Sequence, residues 1–288
     1  MGKYFTSTML YIKNNWLSVL LHILIPSILY TIFVFPTSSF DYIIANISSM
    51  KVDNAWQIFV TINDGSKFAS WQYILFYVLI IVSTLLVFGS FIGNIQNKMR
   101  YGKTIYGGFW GVFKRANETV FAAARAGIFL MAAMELFALI MSVVLFCIVR
   151  LTNVTWLRIF WVCLIGGGFI IAMFYGCAWV SCALPNMTMR NEGMFKSIAR
   201  SMNMVKEKQL KIFGAFVHPL IVSYIPVLIC SACDIYFDHI VLTVFKYIAN
   251  FAFYVFSFSY YIVLMYVVFF DINEIEREDL NVENKWRL

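Results

Sequence analysis

Residues 251–270 read FAFYVFSFSYYIVLMYVVFF, from Phe251 to Phe270, without a single Asp, Glu, Lys, Arg or His. As a helix rising about 1.5 Å per residue, a run of about 20 such residues covers the roughly 30 Å hydrocarbon layer of a bilayer. In lipid every backbone N–H and C=O must be paired within the protein, and a single run too long for a strand achieves this as an α-helix. The stretch therefore predicts a membrane span.

Working outward, five further runs of comparable length appear: Trp16–Phe35, Trp71–Ile92, Ala122–Ile148, Trp156–Leu184 and Ile212–Ala232. Three of the six open with Trp, whose amphipathic ring favours the headgroup level. Composition agrees, since 61% of the chain is hydrophobic and only 13% is charged, against about 25% charged in a soluble domain. The expectation is a single all-α integral membrane domain over residues 1–288, a polytopic bundle of about six transmembrane helices. The first run is too long for a signal peptide and lacks a small-residue cleavage site, so it is expected to remain as a helix.

The net charge of +7 sits in short blocks between apolar runs, which argues against nucleic acid and for anionic lipid headgroups. With the N-terminus inside, only Lys51, Lys67, Arg150, Arg158 and Lys246 of the 22 Lys and Arg fall outside. That bias places both termini in the cytoplasm of a cell-membrane protein. Two basic inner segments carry apolar residues at helical spacing, Tyr106, Phe109 and Phe113 in one, and Phe195, Ile198, Met202 and Val205 in the other. Both read as amphipathic helices at the inner leaflet. Residues 36–70 read as an outer interfacial loop, residues 233–250 as an outer interfacial helix, and the acidic tail from Asp271 as a solvated end.

Ionisable residues inside spans are costly, which makes them site candidates. His22 in the first run and His218 in the fifth lie near the cytoplasmic ends of their spans, and Glu135 lies near the middle of the third. A carboxylate at such a depth needs a partner or a proton. The three together suggest a proton- or substrate-binding cluster, the plainer alternative being an interhelical hydrogen bond. Gly89 and Gly93, and Gly168, Ala172 and Gly176, repeat a four-residue spacing that lets helices approach closely, and are read as internal packing, the alternative being homodimerisation.

Motifs for chemistry are absent. Tyr101–Thr104 reads YGKT, but Asn97 stands where a phosphate loop needs Gly, and neither H-E-x-x-H nor G-x-S-x-G occurs. Cys230 and Cys233 form a C-x-x-C without a second pair or a histidine pattern. No enzyme activity, metal or cofactor is expected.

The stretch Gly108-Phe109-Trp110-Gly111-Val112-Phe113-Lys114-Arg115 resembles an aromatic and basic signature of the YesL-like family of bacterial membrane proteins. Ala183-Leu184-Pro185, Arg190 and Lys196–Ser201 are similar to that family's second cytoplasmic segment. This chain adds a first span and a long outer loop. Residues Arg200 to Gly214 more weakly resemble the membrane domain attached to some glycerophosphodiester phosphodiesterases. The first resemblance implies an accessory role beside carbohydrate importers, with a membrane protein as partner, and names no site. The other expectation the residues allow is a small transporter working through Glu135.

Overall fold

The computed structural model describes residues 2–34, 55–56, 71–102, 108–151, 155–237 and 240–280. These form α1 (Gly2–Asn14), α2 (Trp16–Leu29, continuing as a π-helical turn Tyr30–Val34), α3 (Trp71–Tyr101), α4 (Gly108–Leu151), α5 (Thr155–Trp179), α6 (Ala183–Met189), α7 (Met194–Val205), α8 (Gln209–Phe237) and α9 (Ile240–Ile272). Among the described residues there is no strand. Apart from 55–56, the expected outer loop over 36–70 lies outside them.

Four stretches are long and apolar enough to cross a membrane: Ile80–Tyr101, Leu164–Met189, Gln209–Ser231 and Ile240–Ile272. Counting α1 and α2, which meet at 92°, as one bent span makes five. The described residues of α4 provide two shorter apolar stretches, Thr119–Phe129 and Glu135–Ile148. Two sequence expectations change. Residues 240–250 are the first turns of α9 rather than a separate outer helix, because Lys246 does not break an otherwise helical apolar pattern. The aromatic and basic stretch at Gly108–Arg115 continues directly into α4, although the side chains of that stretch lie outside the description.

α9 is the hub. Tyr260, Val263, Leu264, Tyr266, Val268, Phe269 and Phe270 are almost fully buried, and a helix that is apolar all round belongs at the centre. α1, α2 and α8 pack around it, while α3 packs against both α2 and α4. The outward faces are apolar too: Ile128 of α4 is 66% exposed, and Ile171 of α5 and Ile229 of α8 are each 57% exposed. Apolar faces this extensive match a lipid solvent rather than water.

Proline explains one central contact. Pro219 inside α8 has no N–H, so the Ala215 carbonyl four residues earlier loses its helical donor. The Tyr260 hydroxyl of α9 donates to that carbonyl at 3.0 Å, and Tyr261 donates to the next one, Phe216 O, at 2.9 Å. Tyr260→Phe is therefore expected to cost about 1–3 kcal/mol, the penalty for a buried carbonyl left unpaired. In a Pro219→Ala background, where the helix supplies its own donor, the same change should cost clearly less. Thermal unfolding of the four proteins in detergent measures that difference, and equal losses in both backgrounds would refute the pairing.

A second repair occurs where α5 ends and α6 begins, at Val180–Cys182. Buried Ser201 of α7 donates to the Trp179 carbonyl at 2.8 Å and accepts from the Cys182 N–H at 3.0 Å. One hydroxyl thus joins both broken ends to α7. Ser201→Ala should lower stability by about 1–2 kcal/mol, read as a fall in unfolding temperature, whereas Ser201→Thr keeps the hydroxyl and should lose less.

Candidate functional site

Beyond the Ser201 bridge, two groupings of polar side chains stand out among the described residues, a seam between α2 and α3 and a node at the end where α1 meets α9. Along the seam, Ser18 and His22 share one face of α2 and Ser90 and Asn94 share one face of α3, each pair one helical turn apart. His22 Nδ1 lies 2.6 Å from the Ser18 carbonyl, and its Nε2 lies 3.2 Å from Ser90 Oγ. A carbonyl only accepts, so Nδ1 carries the proton; in the neutral ring Nε2 then accepts from the Ser90 hydroxyl. Asn94 Nδ2 donates to Ser18 Oγ at 2.6 Å, which ties the two helices a second time. Its own Oδ1 is buried without a hydrogen-bond partner. Pro26 likewise removes the helical donor for the His22 carbonyl, four residues before it.

The end node centres on Asp271, just past the apolar run of α9. Its Oδ2 accepts from the Tyr4 hydroxyl at 2.8 Å and pairs with Lys208 at 3.2 Å, while Lys3 pairs with Oδ1. Next to it Arg277 forms a two-pronged contact with Asp279, at 3.0 and 2.7 Å, and donates to Ser7 Oγ at 2.7 Å. Deeper in, the Tyr266 hydroxyl joins Thr188 of α6 at 2.7 Å and Gln96 of α3 at 3.2 Å. These bonds connect α1, α3, α6 and the start of α8 to α9 at one end of the molecule.

The three ionisable candidates of the sequence do not meet at His22. Both of its ring nitrogens are taken, by Ser18 and Ser90. Glu135 lies on an exposed face of α4 and His218 on an exposed face of α8. Of the small residues, Gly89 is buried against Val120 of α4, and Gly93 is buried as well. Gly168, Ala172 and Gly176 are exposed, and a Cβ added at Gly168 or Gly176 would meet nothing within 4 Å. Their reading as internal packing is corrected: the stripe faces outward, since the fourth run packs through other faces.

Among the described residues no group of three or more His, Cys, Asp and Glu side chains could hold a metal ion. Cys230 and Cys233 are free thiols on α8. Sequence reasoning missed Asp271 as an anchor because it was assigned to the solvated tail. A carboxylate set directly after a long apolar run, with Lys3 and Lys208 expected on the same side of the membrane, was the available signal. Ser18, Ser90 and Asn94 carry no such signal, being uncharged.

No family model, curated protein or solved structure matches this chain. The likeness to YesL-like segments rests on the residues quoted for it alone.

Proposed function

We propose that the chain is a six-span protein of the cell membrane, with both termini in the cytoplasm, that serves as a non-enzymatic accessory or scaffold subunit of a membrane complex such as a carbohydrate importer. The observation that carries this reading is how the buried polar groups are used. Asp271, Tyr266 and Ser201 each join two or three helices, and both His22 nitrogens are engaged in the α2–α3 seam. Chemistry that binds helices to one another suits a part whose work is to hold a shape. A sixth span would run through α4, whose two shorter apolar stretches support it, and the inside-positive charge bias supports the orientation. Purification of the tagged protein in mild detergent should bring down an importer subunit; recovery of the protein alone would overturn the accessory role.

A second reading has one observation of its own. The unpartnered Asn94 Oδ1 and the His22 carbonyl released by Pro26 are acceptors inside a span, as a small transporter with a cytoplasm-facing site would need. In that protein Glu135, His22 and His218 would bind a proton or substrate. Glu135→Gln separates the two. Under the accessory reading the variant folds and still brings down its partner, whereas loss of proton-coupled uptake into vesicles with folding intact would favour transport.

A further inference from the structure

A surface helix normally turns its apolar stripe toward the protein. α7 does so only in part. It buries Ser197, Ser201 and Val205 against α5 and α6, where Ser201 bridges the broken helix ends. Phe195 is left 77% exposed and Met202 37% exposed, with exposed Ala199 between them on the same face. Leu210, in the first turn of α8, continues the apolar surface at 73% exposure. Exposed Lys196, Lys206 and Lys211 flank it, with Glu207 as the exposed acid among them. Arg200 and Lys208 are engaged by Glu192 and Asp271.

Position decides what covers this face. The apolar stretch of α8 begins at Gln209, so Leu210 and Lys211 stand where that span meets the membrane surface, and α7 is joined to it by the short turn through Lys206 and Lys208. α1 reaches the same end, since Lys3 and Lys208 share the Asp271 carboxylate, and it leaves α2 at 92°. On the six-span reading, in which residues 16–35 cross the membrane, a helix at right angles to α2 runs along the membrane plane.

We infer that α7 and the first turn of α8 form a seat in the headgroup layer of an anionic phospholipid membrane, with Phe195, Met202 and Leu210 entering the acyl boundary and Lys196, Lys206 and Lys211 meeting lipid phosphates. This is the arrangement of an interfacial helix, whose apolar side chains enter the acyl boundary while its cations remain at phosphate level. The inference rests on the membrane-spanning reading and adds to it the occupant of one particular face.

The test places p-benzoylphenylalanine singly at positions 195, 202, 203 and 229 of the full chain, in vesicles of phosphatidylcholine and phosphatidylglycerol. After illumination, mass spectrometry reads lipid adducts. Positions 195 and 202 should give lipid adducts like those at 229, on the outward face of α8, and position 203, on the Lys196 side, should give several-fold fewer. At 195, phosphatidylglycerol should exceed its share of the bilayer by about five-fold, as expected for one lysine near anionic headgroups. Lys196→Glu combined with Lys211→Glu should remove that excess. Adducts at 229 but at neither 195 nor 202 would overturn the inference and leave the spanning reading standing. Absence at 229 as well would overturn both, and an excess unchanged by the lysine substitutions would overturn the anionic headgroup as partner.

Discussion

Asp271→Ala is expected to release α1 from the hub and to lower stability by about 2–4 kcal/mol, as one carboxylate loses three donors at once. The three do not count equally. Lys3 is 79% exposed, so its ion pair is worth little in water and salt, and Lys208 at 43% is worth only somewhat more. The Tyr4 hydroxyl dominates because Tyr4 is on the buried face of α1, and a phenol left there without an acceptor keeps the full desolvation cost. This ranking makes a second substitution informative. Asp271→Asn retains an acceptor for Tyr4 while losing the charge that Lys3 and Lys208 respond to, so it should cost about half as much as the alanine. Unfolding temperature in detergent gives the stability change, and protease cleavage within residues 2–14 gives the detachment. Equal losses for Asn and Ala would assign the energy to the charges and defeat the ranking. Ser7, held by Arg277, keeps a second hold on α1, so the variant should loosen the helix without unfolding the bundle.

How much of this could be read from the sequence depends on which physical signal each part leaves behind. The apolar run at 251–270 is visible at once, and its part from Ser257 to Phe270 holds most of the buried residues of α9. Where that helix begins was harder to see, since residues 233–250 with their polar positions read as a separate outer helix; yet a single lysine such as Lys246 can extend its stem along a helix, and α9 starts at Ile240. α7 was legible as a helix but not in its orientation. Phe195, Ile198, Met202 and Val205 were grouped on one apolar side, whereas Val205 is buried with the serines and Phe195 faces out. The reason is that Ser201 has a specific task at the break between α5 and α6, and periodicity weighs a serine only as polar. The seam shows the same limit. Histidine attracts notice in a span, but its partners Ser90 and Asn94 become meaningful only when α2 and α3 are laid side by side. Pairing across helices is long-range information, and one sequence carries it weakly.

Gly89 is the position where that long-range information is strictest. A Cβ built there would lie 2.5 Å from Val120 Cγ2, 3.1 Å from Val120 Cα and 3.2 Å from Val120 N. The methyl cannot swing aside cheaply, because a β-branched residue in a helix has essentially one χ1 rotamer, and the Cα and N belong to the backbone of α4. Gly89→Ala therefore has to push α3 and α4 apart. Doing so also stretches the bond from Thr119 Oγ1 to the Gly89 carbonyl, now 2.6 Å in a buried setting. Overpacking of this kind costs about 1–3 kcal/mol, and a lost buried hydrogen bond adds about 1 kcal/mol. Val120→Ala in the same chain removes the nearest atom but leaves the backbone at 3.1 Å, so the double variant should recover only part of the loss. Gly168→Ala supplies the contrast. Its added methyl meets nothing within 4 Å, and the gain in helix propensity, up to about 1 kcal/mol, should leave that variant as stable as the parent or more so. The two glycines share the four-residue small-residue spacing in the sequence, yet Gly89→Ala should lower the unfolding temperature while Gly168→Ala should leave it unchanged or raise it. If they move together, the close approach of α3 to α4 is not what Gly89 provides. If the double variant recovers fully, the constraint lies in the Val120 side chain and not in the distance between the two backbones.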